Sequence, residues 1–221
     1  MTKKSRVRIF WVAVFGITMG YFEASVVVYL RALLCPGGFS FPLAVGPMKI
    51  TLVEIGREAM SVGMLIAVGA LAGRNFFEGF CLFCLAFGVW DIFYYIFLKL
   101  ILNWPASLFT WDILFLIPVP WVGPVWAPVL CAIAFIVTGI LVVHQEDIGR
   151  PVRPRTGEWI MAVSGGLLVI ASFCEECRDI IKGGVPHSFA WPVFFAGFAL
   201  GLFAFTRAWN RAKKTPDPDL Q

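Results

Sequence analysis

Glu54, Arg57, Glu58 and Ser61 stand at i, i+3, i+4 and i+7, the spacing that puts four side chains on one face of an α-helix. Their neighbours are apolar enough to lie in lipid, where each ionised side chain costs roughly 2.5–3.5 kcal/mol by insertion scales. A charged stripe there needs partners or a task. Carboxylates around a guanidinium can accept protons, hold a cation, or be tied off as a buried ion network that fixes helix register. Glu23 shares a face with Gly16 and Gly20, small residues that let a second helix approach closely. Asp91, Tyr95 and Lys99, four residues apart with Tyr94 beside them, form a third polar stripe. Glu23, Glu54, Glu58 and Asp91 outnumber Arg57, with Arg31 and Lys99 near the boundary, so the chemistry expected is that of a proton, a cation or a small cationic solute.

The elements that carry these residues follow from composition. The chain of 221 residues is 59% hydrophobic and 14% charged, far more apolar than a soluble domain. Apolar runs near 9–30, 50–72, 79–102, 121–143, 159–178 and 189–208 are each long enough to cross a hydrocarbon core of roughly 30 Å. The expectation is an all-α membrane protein, a six-transmembrane-helix bundle forming one domain over 1–210, with a disordered cytoplasmic tail over 211–221. No small-residue cleavage site follows the first run, so its retention is expected. Between the third and fourth runs, Pro105, Pro118, Pro120, Pro124 and Pro128 interrupt an aromatic stretch carrying Trp104, Trp111, Trp121 and Trp126. A continuous helix is unsuited to that stretch. It reads as an interfacial or re-entrant segment on the outer side that forms a lid over the bundle. Glycine pairs four apart, Gly16/Gly20, Gly69/Gly73 and Gly197/Gly201, mark close helix contacts.

With six spans, twelve Lys and Arg residues fall on the side of the two termini and five on the other, leaving Arg57 within a helix. By the positive-inside tendency both termini are expected in the cytoplasm, and a bacterial inner membrane suits this pattern. The net charge of +4 reflects that bias and suits contact with anionic headgroups, with no sign of nucleic-acid binding. Topology then places the polar ends of the first three spans at one depth, in the outer leaflet. Tyr94, Tyr95 and Lys99 are expected to line the opening, and Arg57 to organise Glu23, Glu54, Glu58 and Asp91.

Six cysteines include Cys81/Cys84 and Cys174/Cys177. The two Cys-x-x-Cys pairs fall at opposite ends of the bundle, which argues against one four-cysteine zinc site. Cys81 and Cys84 read as buried packing residues. Cys174 and Cys177, with Cys35 at the same end, are candidates for a disulfide or a redox dithiol. His144 and His187 are the sole histidines and both fall in expected loops. Bis-histidine haem, His-rich diiron sites and Ser–His proteolysis therefore lack their residues within the spans. A paired-carboxylate hydrolase is weakly encoded, because Arg57 between Glu54 and Glu58 suits two anions better than one shared proton. No P-loop or dinucleotide fingerprint is present. No catalytic residue, metal set or cofactor is assigned beyond a bound cation. The leading expectation is a small carrier or permeation protein in the lipid bilayer, with a homo-oligomer or a membrane-protein partner open. A non-catalytic subunit of a larger, respiratory or redox complex and a membrane thiol oxidoreductase are the alternatives.

Overall fold

The computed structural model describes residues 1–42 and 46–214. Among the described residues six helices are long and apolar enough to cross a membrane. In chain order the elements are α1 (Lys3–Leu34), α2 (Met48–Ala72), α3 (Phe76–Leu102), β1 (Trp111–Phe115), β2 (Trp121–Pro124), α4 (Trp126–Asp147), α5 (Thr156–Cys174), the short α6 (Cys177–Ile181) and α7 (Trp191–Lys214). The protein is an all-helical membrane bundle apart from one two-stranded hairpin. α7 continues through 211–214, four residues that composition assigned to the tail, and residues 215–221 lie outside the described residues.

α3 is the axis of the larger group. Its Ala86, Val89, Trp90 and Phe93 meet Gly16 and Gly20 of α1 so closely that a Cβ on either glycine would come within about 3 Å of α3 atoms. Gly69 of α2 lies against Phe83 and Gly79, and Gly88 of α3 against Ala132 of α4. α5 and α7 form a second unit in which Gly165 and Gly197 face one another. Gly201 supports that contact from its backbone only, since a side chain placed on it would enter open space.

The two units are joined at both ends. At the end holding the chain termini, Cys81, Val142, Val152, Ala208 and Ala212 pack together. At the opposite end Ala127, Phe173, Phe189 and Phe194 do so with Trp111, Leu114 and Trp121 of the hairpin. Between these plugs an apolar cavity of about 410 Å³ separates α3 and α4 from α5 and α7.

The Pro/Trp-rich stretch is the hairpin. β1 and β2 pair antiparallel, Trp111 opposite Pro124 and Ile113 opposite Val122, with an irregularity between Ile113 and Phe115. The fourth span therefore starts later than the apolar run that begins at 121. Trp121–Pro124 is strand, the helix begins at Trp126, and Pro128 falls in its first turn, where the missing N–H leaves no helix bond unmade.

The terminal end is fastened by ions. Glu78, wholly buried at the start of α3, accepts from Arg8 Nη2 at 3.0 Å, Arg74 Nη2 at 2.9 Å and the Arg74 backbone N–H at 2.6 Å. Arg8 Nη1 also donates to the Ala72 carbonyl at 2.8 Å, capping the end of α2. Asp147 of α4 accepts from Ser5 Oγ and the Thr2 N–H, each at 2.7 Å. Arg211 of α7 pairs with Glu158 of α5.

Candidate functional site

The hairpin end holds the polar stripes. Arg57 of α2 donates to Glu54 through Nε at 2.5 Å and forms an ion pair across to Glu23 of α1. Ser61, one helical turn further along, reaches Glu23 Oε2 at 3.4 Å. Glu23 and Glu58 are 6% and 7% exposed, so these carboxylates sit within the bundle.

Glu58 does something different from its neighbours. Its Oε2 accepts the backbone N–H of Leu116, just past β1, at 2.8 Å, which ties α2 to the hairpin. Among the described residues no cation forms an ion pair with it. The reason is rotation: one residue beyond Arg57, its side chain points about 100° around the helix, toward the hairpin rather than toward α1.

Asp91 also stands apart from Arg57. On α3 it lies three residues after Gly88, which faces α4, whereas α1 is met by Ala86, Val89 and Phe93. Asp91 Oδ2 is buried with no hydrogen-bond partner among the described residues. The expectation that Arg57 gathers Glu23, Glu54, Glu58 and Asp91 is thus corrected: it pairs with the first two. Lys99 does not join the group either, because its ammonium donates to the Asn103 and Pro105 carbonyls at 3.3 and 3.0 Å, closing the end of α3.

Asp112, which no spacing argument picked out, belongs to the site, and Arg31, expected only near the boundary, is its partner. Asp112 of β1, 2% exposed, accepts from Tyr95 Oη at 3.2 Å and from Arg31 Nη2 at 3.4 Å. The Arg31 guanidinium also lies over the Trp104 and Phe39 rings, at 3.8 and 4.3 Å from their centroids. The signal available was one acid in an otherwise apolar Trp-Asp-Ile-Leu-Phe run, opposite one arginine near the end of the first span. Burial pushes the Asp112 carboxyl up to about 6, against Arg31, the Ile113 N–H and the Tyr95 hydroxyl, which draw it down. Folding therefore favours its protonated form. That contribution to stability is complete below about pH 4 and is lost as pH rises through about 6. Between pH 4 and pH 7.5 the wild type is expected to lose about 2–3 kcal/mol more stability than Asp112→Asn. Parallel melting curves for the two proteins across that range would contradict this.

These residues surround a cavity of about 370 Å³ at the hairpin end. Glu54, Glu58, Asp112, Arg31, Tyr94 and Thr51 supply polar groups, and side chains of α1, α2, the hairpin and α6 supply apolar walls. Glu23, Arg57, Asp91, Tyr95 and Lys99 do not line it. No family model matches the chain, and no curated protein or solved structure is significantly similar to it.

Cys174 and Cys177 flank the junction of α5 and α6, and Cys35 follows α1. These three, like Cys81, Cys84 and Cys131, are free thiols. Among the described residues no group of three His, Cys, Asp or Glu side chains is placed to hold a metal ion.

Proposed function

We propose that this chain is a small membrane carrier or permeation protein whose hairpin-end cavity handles a proton, a cation or a small cationic solute. One observation carries the reading. Glu54 and Asp112 line the cavity already paired to Arg57 and Arg31, whereas Glu58 lines it with one oxygen on a backbone N–H and the other without a partner among the described residues. A carboxylate without a counterion in a low-dielectric setting is relieved by a proton or a cation. Ionisable groups within membrane spans commonly mark such a pathway. The excess of Lys and Arg at the other end of the bundle favours cytoplasmic termini, with the cavity opening to the outer side of a bacterial inner membrane.

The test is flux. In liposomes holding the purified chain and a pH-sensitive dye, with potassium and alkylammonium gradients applied in turn, the wild type is expected to move a cation or proton. Glu58→Gln should cut that rate at least tenfold. Its amide oxygen can still accept the Leu116 N–H, so the fold should persist. A well-folded wild type that moves none of these species would refute the carrier reading. A partner retained through detergent extraction would then favour the subunit alternative.

A further inference from the structure

We propose that the hairpin-end cavity takes an amphipathic organic cation, a primary ammonium group on an unbranched apolar chain, with the ammonium at Glu58. This rests on the reading of the site as one for cations and narrows it to a ligand class.

Charge sets the head group. Three carboxylates line the cavity, and two guanidiniums answer two of them, Arg31 from the lining and Arg57 from behind it, so the residual charge favours a cation over an anion. Arg57 occupies Glu54, and Arg31 occupies Asp112 while stacked on Trp104 and Phe39. Glu58 is the one lining carboxylate without a counterion among the described residues, which fits one positive charge per cavity. Its buried position leaves Oε1 as the acceptor for a charge-assisted bond, stronger than a neutral one. The Tyr94 side chain lines the same space and offers an aromatic surface of the kind that attracts an ammonium.

Size and wall chemistry set the rest of the ligand. A bare metal ion needs several oxygen ligands converging on a small volume, and here, among the described residues, one carboxylate without a counterion faces about 370 Å³. Val27, Leu30, Leu34, Ile50, Ile113 and Ile181 make up much of the wall. A fully hydrated ion would leave those side chains without matching surface, whereas an alkyl body would bury apolar area against them.

The test uses purified full-length protein in nanodiscs and tritiated octylammonium as the probe, with butylammonium, octanol, octanoate and potassium as competitors. Saturable binding of one octylammonium per chain is expected. Butylammonium should compete about two hundredfold more weakly, the worth of four methylenes, and octanol and octanoate at least tenfold more weakly. Glu58→Gln should weaken octylammonium at least tenfold. Ile50→Trp, which fills the wall and leaves Glu58 in place, should weaken octylammonium more than butylammonium. Octanol binding as tightly as octylammonium, or butylammonium matching it, would overturn the proposal. Glu58-dependent proton or potassium flux without octylammonium binding would also overturn it while leaving the carrier reading intact. Octylammonium binding without flux of any species would support the proposal and remove the carrier reading.

Discussion

Arg57→Leu is expected to destabilise the folded protein by about 3–5 kcal/mol, the usual cost of breaking a buried ion pair by removing one partner. Arg57 answers two carboxylates at once, Glu54 on its own helix and Glu23 on α1. Its loss strands both where water is scarce. The loss should appear as a lower yield of monodisperse protein and a lower melting temperature in detergent. Adding Glu23→Gln and Glu54→Gln to Arg57→Leu should recover most of it, since the charges needing an answer are gone. Arg57 therefore acts as a neutraliser that confines the uncompensated charge of the cavity to Glu58. An Arg57→Leu protein as stable as the wild type would show that Glu23 and Glu54 do not depend on it.

Glu78→Ala should be equally damaging, about 3–5 kcal/mol, although it lies at the opposite end. Glu78 is wholly buried and gathers Arg8 from α1 and Arg74 from the α2–α3 turn. It also accepts the Arg74 backbone N–H and sits in the first turn of α3, where a negative charge favours the helix dipole. Truncation leaves two guanidinium groups and a backbone donor short of an acceptor. Glu78→Gln keeps an acceptor oxygen and should cost roughly 1–2 kcal/mol, the difference between a charged and a neutral hydrogen bond. Thermal unfolding of both variants in one detergent would measure the gap. Because the network is remote from the cavity, neither variant should alter octylammonium affinity in the protein that remains folded.

Much of the bundle was legible in the sequence, because apolar runs near 20 residues report directly on what can cross a bilayer. Run ends were less legible. α1 starts at Lys3 and ends at Leu34, beyond the 9–30 window, since helical backbone continues through Lys4, Arg6 and Arg8 where hydropathy has already fallen. The prolines correctly ruled out a long helix between α3 and α4, yet a hairpin depends on pairing Trp111 with Pro124 across the turn, which hydropathy does not register. Within the site, the i, i+3, i+4 spacing placed Glu54, Arg57 and Glu58 on one helix face. It carried no information on what each would meet. One residue of rotation gives Arg57 to α1 and Glu58 to the hairpin, and the same effect on α3 turns Asp91 away from Arg57. Asp112, and its pairing with Arg31, escaped notice because the contact joins positions 81 residues apart.

Glu58 is, among the described residues, the lining carboxylate of the hairpin-end cavity without an ion pair, and in the proposed function it is the group that meets the cation. Labelling by a hydrophobic carbodiimide, which adds to carboxyl groups in apolar surroundings, addresses it most directly when read out residue by residue by mass spectrometry. Glu58 is expected to label well ahead of Glu23, Glu54 and Asp112, and octylammonium is expected to slow that labelling at least tenfold. Equal labelling of all four acids, or labelling of Glu58 that octylammonium leaves unchanged, would contradict the claim.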